Sequence, residues 1–277
     1  MKKTVRTGMT LLLTLVFLFS ITRFLLEQRD KAAGNSIYSD ALALASSQNA
    51  EETHTTPSTE GTAASEEPKW VAAAPEEQDP HIQALAELNL DALREVNSDV
   101  VGWIMIPDTV ISYPVMQGTD NDYYLKHTWD GKRYAVGSIF LEHLCRPDLA
   151  DFNTIIYGHN MNNGSMFASL REYRNQEHWE KHPYVYIRSD EGVYRYEIFS
   201  SYLAKVKSNT YGIEFVSDNT RNRFLTEITG NSVIDTGVTP EITDRILTLS
   251  TCSGKSTSTR WVVHARLKMI QVPPSEN

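Results

Sequence analysis

Cys252 and Cys145 are the only cysteines of this 277-residue chain, and their thiols are its strongest candidate nucleophiles. Cys252 ends the β-like run 246–251 and opens the small, polar segment SGKSTST, a position where a scaffold can expose a reactive group. Cys145 lies in LEHLCRPD, a context typical of a half-buried thiol without a chemical role. A thiol with a pKa of about 8.5 is mostly protonated at neutral pH. A nucleophilic cysteine therefore needs a base or a cation beside it.

His159 and Arg260 are the candidates for that base and that cation. His159 follows the apolar run NTIIY and Gly158, so we expect its ring to project from a strand end toward a cleft. Arg260 begins the strand-like run RWVVHARL shortly after Cys252. If the segment between them is a loop, the thiol and the guanidinium reach the same cleft. A fixed cation there could stabilise a thiolate and the oxyanion of a tetrahedral intermediate.

Two other interpretations of the cysteines stay open from these residues alone. In an exported protein Cys145 and Cys252 could form a disulfide, which would make the chain a stabilised binding module without a nucleophile. The chain could also be a Cys/His peptidase of the cell wall, of the papain-like type. Such enzymes place the cysteine before the histidine and at a helix N-terminus. Here the histidine comes first and the cysteine ends a strand-like run.

Short β-like runs predict the elements that position these residues. The runs are rich in β-branched and aromatic residues and lie at 100–106, 110–115, 135–141, 153–157, 183–189, 193–206, 245–251 and 260–270. Their number and spacing predict a mostly β domain, built as a closed or nearly closed barrel. Apolar residues at helical spacing predict helices between residues 82 and 96, and at about 165–181 and 217–229. The last helix lies in the connection 207–244, which is long enough to suggest a binding role.

The N-terminal residues 1–30 are predicted to form a single-pass membrane anchor. Lys2, Lys3 and Arg6 precede a largely apolar run over residues 9–26. At about 1.5 Å per residue, a helix of that length just crosses a bilayer core. Positive charge before the run predicts that the folded bulk lies on the extracellular face of the cell membrane. A cleaved signal peptide is the competing interpretation, but no small-residue cleavage site directly follows the run.

Residues 31–79 are predicted to form a disordered tether, and residues 80–277 the folded domain. The segment 46–79 has eight acidic side chains against one lysine and few large apolar groups, so it cannot bury enough surface to offset its ordering entropy. Much of the formal net charge of −9 is concentrated there. Without a basic stripe along the chain, a nucleic-acid partner is not expected.

The ordered motifs around the three candidate residues resemble those of sortases, and most closely class B. These motifs are NTIIYGHNM around His159, TLSTC ending at Cys252, and RWVVHARL from Arg260. VGWIMIP, ISYPVMQG, DNDYYL and GSIFL resemble the N-terminal half of class B members. The resemblance covers most of the chain from about residue 82. It implies a sortase-type closed β-barrel, with N-terminal helices and a helix in the long connection before the catalytic cysteine strand.

The resemblance also implies a reaction. Cys252 would attack the carbonyl of a threonine in a sorting signal near the C-terminus of another exported protein, forming a thioester. His159 would protonate the leaving amine, and Arg260 would stabilise the oxyanion. An amino group of a cell-wall peptide or of a lipid-linked precursor would then resolve the thioester, which anchors the protein in a Gram-positive cell wall.

The same resemblance implies where the sorting signal binds, and it implies no cofactor. The signal is expected to lie between the connection 207–244, the turn near residues 121–125 and the strand that leads to Cys252. The expected contacts are Asn121, Leu125, Tyr211 and Ser250. No metal site is expected, since no concentrated carboxylate cluster occurs in the sequence.

Overall fold

Helices and a barrel of strands make up the computed structural model, which describes residues 2–47, 79–252 and 258–271. The α-helices are α1 (Lys2–Ser47), α2 (Pro80–Ala86), α3 (Leu90–Val96), α4 (Gln176–Lys181) and α5 (Asp218–Gly230). The 3₁₀ helices are η1 (Tyr123–Leu125), η2 (Ala168–Arg174) and η3 (Asn209–Tyr211). The strands are β1 (Val100–Met105), β2 (Ser112–Met116), β3 (Ile139–Leu141), β4 (Asn153–Gly158), β5 (Tyr184–Ser189), β6 (Gly192–Lys205), β7 (Ile246–Cys252) and β8 (Thr259–Gln271).

The strands close into one barrel in the order β1-β2-β3-β4-β7-β8-β6-β5, and β5 pairs with β1. The pairs β2–β3 and β4–β7 are parallel and the others are antiparallel. Closure gives every strand a neighbour on both sides, so the sheet has no open edge. The predicted mostly β closed barrel is confirmed, together with the N-terminal helices and the helix before the cysteine strand.

Local sequence signals set where the helices begin. Pro80 starts α2 behind Asp79, whose side chain accepts a hydrogen bond from the His81 amide. α5 begins with a capping box, in which the Ser217 and Thr220 side chains and amides satisfy each other.

The third strand, β3, is shorter than predicted because Gly137, at φ +58°, turns the chain just before it.

The C-terminal turns of α1 pack against the barrel, within the segment 31–79 for which the sequence predicts a tether. Tyr38, Ala41 and Ala45 are buried in the core cluster. The Tyr38 ring meets Tyr113 of β2 edge-on at 5.2 Å, and its hydroxyl donates to the Gly137 carbonyl. The end of α1 therefore belongs to the packed structure. The remainder of the predicted tether, 48–78, lies outside the described residues.

The predicted membrane anchor over residues 1–30 and the single-pass membrane localisation are corrected by the structure. In the part of the chain that it describes, no helix combines the length and the apolar character needed to cross a membrane. The apolar run 9–26 is interrupted by Arg23 and by hydroxyl side chains such as Ser20 and Thr22. These hydroxyls bond to carbonyls one turn earlier in α1. Attachment to a membrane through this helix is therefore not supported.

A hydrogen-bond network around a buried histidine links four strands of the barrel to η3. His264 of β8 is fully buried. Its Nδ1 lies 2.9 Å from Thr248 Oγ1, which in turn donates to Asn153 Oδ1 at 2.7 Å. Its Nε2 lies 3.2 Å from the Tyr202 hydroxyl, which bonds to Thr210 Oγ1 at 2.9 Å. Since Thr248 donates to Asn153, it must accept from Nδ1–H, so the ring carries a proton on Nδ1.

This histidine predicts a pH dependence of stability. Burial lowers the pKa of His264 to about 3, whereas an unfolded histidine titrates at about 6.5. Between these values only the unfolded chain binds the proton, so His264 lowers the free energy of unfolding as the pH falls, by up to about 1.4 kcal/mol per pH unit. The free energy of unfolding is measured by denaturant titration at several pH values from 4.5 to 7.5. Plotted against pH, it is expected to change less steeply for His264→Gln than for the unsubstituted protein. Equal slopes would contradict the buried neutral ring.

Candidate active site

Three neighbouring strands bring the candidate catalytic residues to one end of the barrel. β4 runs parallel to β7, with Gly158 opposite Thr251, so the next residues along these strands are His159 and Cys252. On the other side, Cys252 of β7 pairs directly with Arg260 of β8. Adjacent strands lie about 4.8 Å apart. The backbone therefore places Cys252 between the other two, at a strand end and not at the helix N-terminus that a papain-like peptidase would require.

Tight packing fixes the position of His159 at this end of the barrel. A Cβ atom on Gly158 would lie 2.5 Å from Ile139 and 2.7 Å from Phe167, so only glycine fits before the histidine. A Cβ on Gly137 would lie 2.6 Å from the Tyr124 carbonyl oxygen and 3.0 Å from the His159 ring. Nε2 of His159 lies 2.7 Å from the Leu125 carbonyl oxygen. Because that oxygen can only accept, Nε2 carries a proton.

Arg260 and His159 line one cleft of about 390 Å³. Both side chains are half-buried. Nη1 of Arg260 donates to the Thr259 carbonyl at 2.9 Å, which fixes one edge of the guanidinium. The cleft is lined by Asn121, Asp122, Leu125, Phe140, Tyr157, Gly158, His159, Val206, Tyr211, Ser250, Thr251 and Arg260. Every candidate side chain that the structure describes is in this set; for Cys252 the description is limited to the backbone of β7.

The four candidate substrate contacts hold different positions in the cleft wall. The Tyr211 hydroxyl and Ser250 Oγ are 3.0 Å apart, joining η3 to β7 two residues before Cys252. Leu125 lines the cleft with its side chain while its carbonyl holds the histidine. Asn121 has both ends of its amide engaged: Nδ2 donates to Glu142 at 2.7 Å, and Oδ1 accepts from the His143 amide at 3.0 Å.

Hydrogen bonds hold η3, which carries Tyr211, against the barrel. Asn153 Nδ2 donates to the Gly212 carbonyl at 2.8 Å, and the Tyr202 hydroxyl bonds to Thr210. The network around His264 thus ends at the residues on either side of Tyr211. These contacts hold the backbone on both sides of Tyr211 in place. A side chain fixed in this way can contact a bound peptide with a defined geometry.

Cys145 is a buried, free thiol at the other end of the strands. Its Sγ lies 3.7 Å from the carbonyl oxygen of Asn153, which pairs with Ile246 at the start of β7. Cys252 ends that strand, about 20 Å further on, whereas a disulfide needs Cα atoms within about 7 Å. Burial also raises the pKa of the Cys145 thiol to about 12. The Cys145–Cys252 disulfide, and with it the disulfide-linked binding module, is excluded.

Glu142 and Tyr157 are site residues that the sequence patterns did not reveal. Glu142 is buried, and its carboxylate accepts hydrogen bonds from Asn121, His143 and Tyr157. The Tyr157 ring lines the cleft and stacks on Tyr211, with centroids 6.4 Å apart. The available signal was an acidic residue directly after the apolar run SIFL, where a buried strand ends.

Comparison with known proteins identifies similar chains. The sequence matches the family model of the sortase domain over residues 104–268. Sortase B of Listeria monocytogenes is 40% identical over 160 residues, which cover 58% of this chain and 65%, less than two thirds, of that protein. Sortase B of Staphylococcus aureus is 35% identical over 179 residues, which cover 64% of this chain and 73% of that protein.

Solved structures agree with this comparison. A Staphylococcus aureus sortase B–substrate complex has a TM-score of 0.63 at 34% identity, covering 65% of this chain and 85% of that one. A sortase B complexed with triglycine also has a TM-score of 0.63 at 34% identity, covering 66% and 86%. Sortase B from Listeria monocytogenes has a TM-score of 0.59 at 38% identity, covering 65% of this chain and all of that one.

Proposed function

This chain belongs to the sortase family, with its similarity to class B, and we propose that it is a cysteine transpeptidase in which Cys252, His159 and Arg260 carry the chemistry. Its substrate is a sorting signal near the C-terminus of another exported protein, which it cleaves after a threonine. Its acceptor is an amino group of a cell-wall peptide or of a lipid-linked precursor. The register of β4, β7 and β8 is the observation that supports the proposal: His159 directly follows β4 beside β7, and Cys252 of β7 pairs with Arg260 of β8.

The first half of the reaction transfers the acyl group to the enzyme. The Cys252 thiolate attacks the threonine carbonyl carbon, forming the C–S bond while the carbonyl electron pair moves onto oxygen. Arg260 stabilises that oxyanion as a fixed cation. When the carbonyl re-forms, the C–N bond breaks and protonated His159 gives its proton to the departing nitrogen. Since Nε2 is held by the Leu125 carbonyl, this proton leaves from Nδ1.

The second half transfers the acyl group to an amine. The acceptor amine attacks the thioester carbon, neutral His159 takes its proton, and the C–S bond breaks to return the thiolate. A rigid cleft favours an oriented amine over water through proximity, even though water is far more concentrated. The similar sortase B structures, one with substrate and one complexed with triglycine, support a peptide substrate and an N-terminal amine for this chain.

The thioester can be trapped and partitioned. The full chain is incubated with a peptide library varied around an x-Pro-x-Thr-[Gly/Asn] core, with and without triglycine or hydroxylamine. Without an amine, intact mass spectrometry is expected to find the N-terminal peptide fragment attached to Cys252. With an amine, the product is expected to shift to the new amide or hydroxamate as the amine concentration rises. Hydrolysed peptide alone, at a rate indifferent to the amine and without an adduct, would make the chain a protease.

A further inference from the structure

Glu142 lies behind the cleft wall and accepts hydrogen bonds from three side chains. Asn121 Nδ2 lies 2.7 Å from both carboxylate oxygens. The Tyr157 hydroxyl donates to Oε2 at 2.9 Å, and His143 Nδ1 lies 2.7 Å from Oε1. The glutamate is 7% exposed and does not line the cleft itself. Two of the residues that it holds, Asn121 and Tyr157, do line it.

The backbone of Glu142 is fixed as firmly as its carboxylate. Its amide donates to the Ile155 carbonyl of β4 at 2.9 Å, and its carbonyl accepts from Gln117 Nε2 and from the Cys145 amide. The residue directly follows β3, so its position is set by the barrel. A carboxylate held in this way provides a rigid acceptor for the groups around it.

The contacts of Glu142 continue across the cleft wall toward the cysteine strand. The Tyr157 ring, held by its hydroxyl, stacks on Tyr211 at an interplanar angle of 22°. The Tyr211 hydroxyl bonds to Ser250 Oγ at 3.0 Å, and Ser250 precedes Cys252 by two residues on β7. Glu142 is thus one end of a continuous line of side chains that spans the cleft wall from β3 to β7.

We propose that Glu142 is a positioning residue for the sorting peptide, acting through Asn121 and Tyr157. A carboxylate only accepts hydrogen bonds, so it sets the orientation of the Asn121 amide and keeps the Tyr157 hydroxyl as a donor pointing away from the cleft. Asn121 and Tyr157 are then already in place when the peptide binds. Peptide affinity therefore depends on Glu142, which does not contact the peptide. This assignment rests on the proposed function.

Glu142→Gln is the informative substitution because it keeps the shape and turns one acceptor into a donor. Asn121 Nδ2 lies 2.7 Å from both carboxylate oxygens, so in either orientation the new NH2 group faces this donor and the Asn121 amide must shift. We expect the KM for the sorting peptide to rise about tenfold while kcat stays within about threefold. Peptide binding measured in the Cys252→Ala background, where no chemistry intervenes, is expected to weaken by the same factor. Glu142→Asp, which keeps the acceptor, is expected to recover part of the affinity.

Two controls separate positioning from a loss of structure. Glu197→Gln makes the same change in a half-buried carboxylate that pairs with Arg266 away from the cleft, and it is expected to leave KM and kcat unchanged. In a double-mutant cycle, Tyr157→Phe and Glu142→Gln are expected to have less than additive effects on peptide affinity, because both disturb the hydrogen bonds around one carboxylate. If Glu142→Gln does not fold, Glu142→Asp and the Tyr157→Phe variant carry the test.

The outcomes distinguish this inference from the proposed function. An unchanged peptide affinity in a folded Glu142→Gln protein, or fully additive effects with Tyr157→Phe, would overturn the positioning role. So would a fall in kcat at constant KM, since that places the effect in the chemistry. In each of these cases the unsubstituted protein still forms its Cys252 adduct. If the unsubstituted protein forms no adduct, the proposed function itself is wrong.

Discussion

Cys252→Ala is expected to abolish peptide cleavage and transfer, lowering the rate by about 10⁴-fold or more. Alanine removes the proposed nucleophile at the meeting point of β4, β7 and β8, so no thioester can form. Residual cleavage would have to come from water acting with Arg260 and His159 alone. The thermal unfolding midpoint is expected to stay within about 2 °C of the original, because the residue lies at the end of its strand. Rates come from chromatography of the peptide products.

Cys145→Ala is the matched control, since it removes the other thiol of the chain. Cys145 is 5% exposed, so its loss leaves a small cavity and costs about 1 kcal/mol of stability. Activity is expected to remain above about half of the original, because the thiol lies near the far end of β7 from the cleft. Equal loss of activity in both variants, with several kcal/mol of destabilisation in each, would instead indicate a disulfide.

The barrel was accessible from the sequence because its strands depend on local patterns. Runs such as NTIIY and RILTLST have the composition of buried strands, and each is bounded by turn residues. The helix α5 is predicted for a similar reason, since its buried residues Phe224, Leu225 and Ile228 recur at helical spacing. The sequence placed Cys252 and Arg260 together through the short segment between their strands, whereas His159 was joined to them by the resemblance of the motifs. The parallel pairing of β4 with β7, which sets His159 beside the cysteine strand, joins segments that are far apart in the chain and has no local signal.

The parts that were missed depend on contacts between distant residues. The packing of Tyr38 against Tyr113 and Gly137 joins the end of α1 to the barrel, and no pattern within residues 31–47 shows that pairing. Glu142 was overlooked for the same reason, because its partners Asn121 and Tyr157 lie 21 and 15 positions away. The membrane anchor was wrong for another reason: counting apolar residues gave too little weight to the polar ones within the run.

Arg260→Gln is expected to lower kcat/KM for the sorting peptide by about 10³-fold. The removal of one oxyanion donor costs about 10² to 10³ in other acyl-transfer enzymes, and the loss of a fixed positive charge next to Cys252 also lowers the fraction of thiolate. Arg260→Lys keeps the charge but not the planar fork of donors. Its expected loss is therefore intermediate, at about 10- to 100-fold. The rate at which the Cys252 adduct forms, followed by intact mass spectrometry, isolates the step that this cation serves.

The control for charge and strand is Arg266→Gln on the same strand β8. Arg266 donates from Nη2 to Glu197 at 2.9 Å and from Nη1 to the Thr239 carbonyl at 3.0 Å, away from the cleft. Its replacement is expected to cost up to about 1 kcal/mol of stability while adduct formation continues at the original rate. If Arg260→Gln and Arg266→Gln formed the adduct at the same rate, Arg260 would have no special role in the reaction. Another group would then have to stabilise the oxyanion. A loss confined to Arg260→Gln, partly recovered by lysine, would tie the developing negative charge to the guanidinium that the β7–β8 register places opposite Cys252.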